Sequence, residues 1–209
     1  MTSNIGLRYA RTELSSLVKN PSNKAQALDF RVVLPKSAFI SNFSMTIKGK
    51  VYVAQVKEKE EARKVFDKAV SEGRGAAIVE KNVRDSNHFA VSTNVAAGLK
   101  VQFKLTYEEL LERRNGMYQQ RINVHPKQIV DDLKIEVFIK ESLPLSFVSV
   151  PELKESNEVT AEEEQESKVA IVKREVDGDS RRAHVVFRPD RKYQEQASQQ
   201  GISGMIVLA

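Results

Sequence analysis

The chain has 209 residues, of which 41% are hydrophobic and 29% charged, so it is large enough to bury a sizeable core. It contains no cysteine, which excludes disulfides, thiol nucleophiles and zinc–thiolate sites. No apolar run in the sequence is long enough to predict a membrane-spanning helix. The formal net charge of +5 is typical of a solvated surface and also compatible with an acidic partner.

Alternation of apolar and polar residues dominates the chain and predicts strands with one buried face. The clearest case is Val101, Phe103, Leu105 and Tyr107, which alternate with Gln102, Lys104 and Thr106. Predicted strands lie near residues 5–18, 28–34, 45–56, 76–80, 89–96, 101–107, 118–124, 135–139, 169–175, 183–187 and 205–208. Turn signals separate them at Asn20-Pro21, Lys48-Gly49-Lys50, Ala97-Gly98, Asn115-Gly116 and Asp177-Gly178. The fold class is therefore mainly β, an antiparallel sandwich or partly closed barrel.

One segment has helical periodicity instead. Its apolar residues follow i, i+3, i+4, i+7, i+8 spacing and are Ala62, Val65, Phe66, Ala69 and Val70. We expect one amphipathic helix from near Lys57 to Glu72, ended by Gly73 and packed on the sheet. The segment Glu108 to Arg114 allows a second helix, but the preceding alternation and Asn115-Gly116 favour a long strand that enters a hairpin through a bulge.

The C-terminal third contains two predicted loops. Residues 152–168 are acidic and poor in apolar side chains, which indicates a solvated loop, and Asp190 to Gly201 also has a loop-like composition. The chain ends on the apolar sequence GMIVLA without a polar tail. We therefore expect the chain to be a fragment of a larger protein.

No arrangement of residues in the sequence predicts catalysis. The histidines His88, His125 and His184 are scattered over predicted strands without a partner at metal-ligand spacing. The loop Asp177-Gly178-Asp179-Ser180 lacks the further oxygen ligands of a calcium site and is better interpreted as a hairpin turn. We expect a protein that is not an enzyme, with no catalytic residue, no metal and no cofactor.

Two surface features remain as candidate sites. Asn42-Phe43-Ser44 is the one N-glycosylation sequon, since Asn20 is followed by proline. A basic cluster of Arg113, Arg114, Arg121 and Lys127 flanks the predicted Asn115-Gly116 hairpin. This cluster is a candidate contact for the sulfate or carboxylate groups of a glycan, and a solvated strand edge that resists aggregation is the simpler alternative.

Long stretches of the sequence resemble one known domain family. One stretch, residues 34–81, contains LPKSAFISNFSM and VKEKEEA, and a second, residues 88–130, contains VSTNVAAGLKVQF, LTYEELLER and HPKQIV. Both stretches resemble the VIT domain of inter-alpha-trypsin inhibitor heavy chains. The similarity is strongest over residues 5–140. The resemblance implies a single β-sandwich-like VIT domain over residues 1–209, with the acidic loop at 152–168 and the final strands in 169–209.

The resemblance also implies a function and a location. A heavy-chain VIT domain is a non-enzymatic structural and interaction module of a secreted glycoprotein, next to a von Willebrand type A domain. Such a protein would take part in hyaluronan-containing extracellular matrix and in serine protease inhibitor complexes. The implied partners are proteins and glycosaminoglycan, with no nucleic acid and no membrane.

An intracellular alternative stays open. VIT domains also occur in vault-associated proteins, where the domain would be a scaffold in a cytosolic assembly. The NFSM and YEELL sequences favour the secreted heavy-chain type, whereas the N-terminal sequence has no signal-peptide pattern and thus leaves room for the intracellular type.

Overall fold

The computed structural model describes residues 1–53, 77–80, 87–150, 170–173, 181–199, 202 and 204–208. Its strands are β1 Thr2–Gly6, β2 Tyr9–Lys19, β3 Gln26–Val33, β4 Phe39–Ile47, β5 Lys50–Val53, β6 Ala77–Glu80, β7 His88–Val95, β8 Lys100–Leu110, β9 Glu112–Arg114, β10 Met117–Val124, β11 Ile135–Lys140, β12 Ala170–Lys173, β13 Arg182–Phe187 and β14 Gly204–Leu208. The mainly β fold predicted from alternation is thereby confirmed.

Three predictions fall on residues that lie outside the described ranges. They are the helix from Lys57 to Glu72, which includes Phe66, the acidic loop at 152–168 and the turn at Asp177-Gly178. Within the described ranges, no helix has both the length and the apolar character needed to cross a membrane.

The predicted loop from Asp190 to Gly201 is wrong, because Arg191–Ala197 forms a short helix, α1. Asp190 caps its N-terminus, where Oδ1 accepts a hydrogen bond of 2.7 Å from the Tyr193 amide. The helix is fixed by buried Gln194, whose side chain exchanges hydrogen bonds of 2.9 Å with both the amide and the carbonyl of Val130. Tertiary contacts therefore decide the structure of a polar segment without apolar periodicity.

The chain divides into two compact units. The first contains Met1–Glu13, Ser37–Phe39 and Glu108–Ala209, and the second contains Leu14–Lys36 and Ile40–Tyr107. Strands β2 and β8 contribute residues to both units. The prediction of one domain over residues 1–209 stays a prediction.

In the first unit, the strand order is β12-β13-β11-β1-β2, and a separate ribbon has the order β14-β10-β9. Strands β1 and β11 pair in parallel, whereas the pairs β1–β2, β10–β14, β10–β9, β11–β13 and β12–β13 are antiparallel. Apolar side chains of the sheet and of β10 share one core, because alternation turns one face of each strand inwards. The core residues are Ile5, Ala10, Leu111, Ile122, Val124, Ile135, Val137, Val150, Val185, Phe187 and Ile202.

In the second unit, strands β2-β8-β4-β5 are neighbours in one sheet and β3-β7-β6 form another. Four phenylalanines, one each from β3, β4, β7 and β8, pack between the two sheets, and the rings of Phe30 and Phe103 are stacked with centroids 4.8 Å apart. The other ring contacts join Phe43 and Phe89 to this pair. The second unit is therefore a two-layer β structure around an aromatic core.

Candidate functional site

The basic cluster predicted from sequence lies on and beyond the β9–β10 hairpin. Asn115 and Gly116 form its turn with φ of 50° and 83°, the left-handed conformation that two-residue hairpin turns of type I′ require. Arg114 is opposite Met117 and Arg113 is opposite Tyr118. The predicted hairpin at Asn115-Gly116 is confirmed.

Strand alternation divides the cluster between two faces of the hairpin. Arg114 lies on the same face as Met117 and therefore as Arg121, because residues two positions apart on a strand share a face. Arg113 lies on the other face, with Tyr118. Its Nε donates a hydrogen bond of 3.0 Å to the Gly116 carbonyl, and its guanidinium lies 5.9 Å from the centre of the Tyr118 ring.

The two residues that share a face, Arg114 and Arg121, differ in their surroundings. Arg114 donates from Nε and Nη2 to one carboxylate oxygen of Glu112, at 3.2 and 2.8 Å. Both partners are more than half exposed, so the ion pair is weak and open to competition from another anion. Arg121 is half-buried within β10 and pairs with Val207 of β14. Arg114 and Arg121 therefore share one face of the hairpin, in different surroundings.

Lys127 lies beyond the end of β10 at Val124. It is exposed and has a positive φ of 58°. Among the described residues, no hydrogen bond or ring contact joins it to Arg113, Arg114 or Arg121, so the structure does not bring all four basic residues together.

The hairpin is anchored to the sheet by a buried polar network. Nε2 of Gln120, on β10, donates to Ser3 Oγ at 2.7 Å and to Thr12 Oγ1 at 3.2 Å. Thr12 in turn donates to Ser3 at 3.0 Å. All three side chains are at most 1% exposed. Because a broken hydrogen bond would leave these groups unsatisfied in the core, the network fixes the position of β10 against β1 and β2.

Glu109 is a buried carboxyl group near this network. It is 3% exposed, and burial raises its pKa, while the Ser37 hydroxyl and the Gln120 amide lower it by a smaller amount. Sequence reasoning missed this residue, although a signal was present: Glu109 continues the buried face of β8 that carries Leu105 and Tyr107. A carboxylate on an apolar face of a strand was the clue.

The candidate glycosylation site is on the surface of the second unit. Asn42 is exposed on β4, whereas the next residue, Phe43, is 7% exposed and packs in the aromatic core. Alternation thus holds the Asn42 amide towards solvent, which is the orientation that a glycan requires.

The three histidines occupy separate places in the fold. His88 begins β7, His125 follows β10, and His184 lies on β13. The His184 ring stacks on Phe138 with centroids 4.3 Å apart, and its Nε2 lies 3.6 Å from an oxygen of Glu136. In the part of the chain that the structure describes, no group of three or more His, Cys, Asp and Glu side chains is placed to hold a metal ion.

Comparison with known proteins identifies related sequences. The family profile described as "Vault protein inter-alpha-trypsin domain" matches residues 1–107. Inter-alpha-trypsin inhibitor heavy chain H6 of Homo sapiens is 45% identical over 154 residues, which are 74% of this chain and 12% of that protein. Heavy chain H3 of Homo sapiens is 45% identical over 148 residues, which are 71% of this chain and 17% of that protein.

A third relative gives the same result. Heavy chain H3 of Bos taurus is 47% identical over 139 residues, which are 66% of this chain and 16% of that protein. The chain therefore spans less than one fifth of the length of the curated relatives that it matches. In each case the matched length exceeds the 107 residues of the family profile.

Proposed function

Because the chain belongs to the vault protein inter-alpha-trypsin domain family, we propose that it is the non-enzymatic interaction module of a secreted protein of the inter-alpha-trypsin inhibitor heavy-chain type. The observation that carries this proposal is the similarity to heavy chains over about 70% of the chain. In this role the module contributes to protease-inhibitor complexes and to stabilisation of hyaluronan-containing extracellular matrix, beside a von Willebrand type A domain in the full-length protein.

The arrangement of the β9–β10 hairpin supports a glycosaminoglycan contact. Arg114 and Arg121 share one face, and the Glu112 partner of Arg114 is exposed enough to be replaced by a sulfate or carboxylate of the glycan. Arg113 faces away and is held by Gly116 and Tyr118. We therefore assign the anion contact to Arg114 and Arg121, with Lys127 as an outlying cation.

The glycan contact is tested by binding of the purified chain to immobilised hyaluronan and chondroitin sulfate. We expect weak binding that decreases with salt, because exposed charges are screened. Arg114→Ala combined with Arg121→Ala should weaken retention, whereas the matched control Arg113→Ala should have a smaller effect. Equal losses in both variants would contradict the assignment of faces, and no retention at low salt would contradict the contact itself.

The exposed sequon supports modification in the secretory pathway. Asn42 projects from a regular strand whose neighbouring residue is anchored in the core, so a glycan at this position disturbs no packed side chain. We propose that Asn42 is N-glycosylated in the secreted protein. An intracellular VIT scaffold of the vault-associated type would leave the same amide unmodified, so the state of Asn42 separates the two functions.

A further inference from the structure

The tip of the β9–β10 hairpin carries Asn115-Gly116, the one Asn-Gly pair in the sequence. Both residues are exposed. Among the residues that the structure describes, the Asn115 side chain has no hydrogen-bond partner. Nothing in the described chain therefore holds this side chain away from its own backbone.

The side-chain amide of an asparagine can be attacked by the backbone nitrogen of the next residue. Here the Gly116 nitrogen would lose its proton to water and bond to Cγ of Asn115. The Cγ–Nδ2 bond breaks, and Nδ2 takes a proton from water and leaves as ammonia. Water then opens the resulting five-membered succinimide at either carbonyl, which gives aspartate or isoaspartate at position 115. In sum, one water is consumed and one ammonia is released.

The residue after the asparagine favours this reaction. Gly116 has no Cβ to crowd the ring that forms. Apart from its chain neighbours, no described atom lies within 4 Å of the place that a side-chain carbon on Gly116 would take. Asn23 is exposed as well, but it precedes Lys24, whose side chain hinders the attacking nitrogen. Asn23 is therefore an internal reference in the same chain.

The native turn conformation opposes ring closure. In a type I′ turn the first central residue has a ψ of about 30°, which directs the next nitrogen away from the side chain of that residue. Rotation about the Cα–C bond of Asn115 must therefore precede the attack. The reaction requires the tip of the hairpin to open.

The hairpin is built so that its tip can open by itself. Strand β9 has three residues, and all of them are exposed. Local opening costs least where few apolar side chains are buried and the backbone hydrogen bonds lie near solvent. The buried anchor of β10 begins at Gln120, which is 1% exposed. The tip can therefore open while the network of Gln120 with Ser3 and Thr12 stays intact.

The charges around the tip favour an acidic product. Arg113 holds its guanidinium at the tip, where Nε donates to the Gly116 carbonyl at 3.0 Å, and Arg114 directly precedes Asn115. A carboxylate at position 115 would be attracted to both cations. It would compete with an external sulfate for Arg114, whose ion pair with Glu112 is exposed.

The two products differ in their effect on the hairpin. Aspartate preserves the turn, because Asp-Gly also suits type I′ geometry. Isoaspartate adds one carbon atom to the backbone, so the two-residue loop no longer matches the pairing of Arg114 with Met117. Both products place a negative charge at the tip.

We propose that Asn115 is a site of spontaneous deamidation, and that its conversion weakens the anion contact of the hairpin. The first part stands on the sequence and the geometry of the turn. The second part rests on the proposed function, because it concerns the glycan contact assigned to Arg114 and Arg121.

The first part is tested by ageing the purified full chain at neutral and at mildly acidic pH. Pepsin digestion in acid, which suppresses further reaction, is followed by mass spectrometry of the peptides that contain Asn115 and Asn23. We expect Asn115 to convert at least about tenfold faster than Asn23. Conversion should be slower in acid, because the attacking nitrogen must lose its proton. Urea below the unfolding transition should accelerate it, because urea promotes opening of the tip.

The second part is tested by retention on immobilised chondroitin sulfate at low salt. Asn115→Asp should weaken retention several-fold. Asn23→Asp, which changes the net charge equally at another exposed position, should change it by less than about twofold. Asn115→Gly cannot deamidate and keeps a type I′ sequence, so its retention should match the wild type before ageing and stay constant afterwards. Unfolding curves verify that each variant is folded.

Two results would overturn the proposal. Conversion of Asn115 no faster than that of Asn23 would show that the turn protects the amide. Equal retention of Asn115→Asp and Asn23→Asp would show that charge at the tip does not act on the contact. Failure of the proposed glycan contact looks different, since the wild-type chain would then not be retained at all while Asn115 still converts. That result would remove the second part and leave the first.

Discussion

The Ser37 hydroxyl donates to one carboxylate oxygen of Glu109 at 3.3 Å, and the other oxygen of Glu109 has no hydrogen-bond partner among the residues that the structure describes. The neighbouring Gln120 amide donates to Ser3 and Thr12, so it offsets only a small part of the cost of ionising Glu109. Ionised Glu109 is therefore poorly compensated in the core, which agrees with its raised pKa.

This relationship predicts a pH dependence of stability. The pKa of Glu109 in the folded chain is above its ordinary value of 4.5, so folding is coupled to uptake of a proton between these two values. The stabilisation that comes from this protonation is fully present below pH 4.5. It is lost as the pH rises through the folded pKa. Glu109→Gln should raise the free energy of unfolding at pH 7 by on the order of 1 kcal/mol and leave it nearly unchanged at pH 4. Urea denaturation between pH 4 and pH 8 measures this.

The control for Glu109 is Glu112→Gln. Glu112 is exposed on β9 in its ion pair with Arg114, so its substitution should change stability by less than about 1 kcal/mol at every pH. A Glu109→Gln variant with the same pH profile as the wild type would show that Glu109 is not the group responsible.

Removal of Gln120 should be costly, because in the core the Ser3 hydroxyl loses both of its hydrogen bonds with Gln120 and the Thr12 hydroxyl loses one. Gln120→Leu is expected to lower the free energy of unfolding by about 2–3 kcal/mol. Gln102→Leu is the matched control, since Gln102 makes an exposed hydrogen bond of 3.1 Å to Ser15. This substitution should lower the free energy of unfolding by less than about 0.5 kcal/mol. Urea denaturation of both variants compares the two sites, and equal losses would contradict the anchoring role of the network.

The network formed by Ser3, Thr12 and Gln120 also predicts that the losses in free energy of unfolding from single substitutions do not add. In the triple variant Ser3→Ala, Thr12→Val, Gln120→Leu, all three polar side chains are removed together, so none of them leaves the other two unpaired. This variant should be more stable than the sum of the single losses predicts. A strictly additive result would show that the three side chains act independently.

The aromatic core of the second unit should depend strongly on Phe103. This residue is fully buried and stacks on Phe30, so Phe103→Ala is expected to cost about 3–5 kcal/mol. Phe147→Ala, at a residue that is 48% exposed, is the control and should cost far less. Thermal unfolding by circular dichroism measures both, and a small effect of Phe103→Ala would contradict the packing described for this unit.

Substitutions in the β1–β2 turn should raise the thermal stability of the chain. Leu7 and Arg8 have φ of 52° and 65°, a left-handed conformation that costs such residues about 1–2 kcal/mol each. Leu7 is 72% exposed, so little burial is lost on replacement. Leu7→Asn with Arg8→Gly should raise the melting temperature by several degrees, since Asn-Gly favours this turn, as at Asn115-Gly116. A lower melting temperature would indicate that Leu7 or Arg8 makes a stabilising contact.

The same turn shows where sequence reasoning reached its limit. Alternation predicted strands such as β3, β7 and β8, because each has one buried face. Alternation predicts one strand near residues 5–18, but the structure has the end of β1 and most of β2 there, joined at Leu7-Arg8. The Leu7-Arg8 dipeptide itself lacks glycine and asparagine, so the usual turn signal is missing at these two positions. The turn is held in place because β1, which precedes it, pairs with both β2 and β11, and not because of local propensity.

Long-range contacts explain the other differences between the sequence predictions and the structure. The link from Ser3 to Gln120 joins residues more than one hundred positions apart, and no spacing in the sequence indicates it. Helix α1 is fixed by contacts of Gln194 with Val130, which lie 64 positions apart in the sequence. By contrast, Arg113 and Arg114 are predicted from the sequence as one contact, although adjacent strand residues point to opposite sides and alternation alone would separate them.

The most direct test of the proposed secreted, interaction-module function is the state of Asn42 in the natural protein from its own cells. Protein recovered from the medium and from the cell extract is digested, and the peptide that contains Asn42-Phe43-Ser44 is weighed by mass spectrometry before and after enzymatic removal of N-glycans. Secreted protein with a glycan on Asn42, absent in Asn42→Gln, is the predicted result. Protein confined to the cytosol with an unmodified Asn42 would contradict the account and favour an intracellular scaffold.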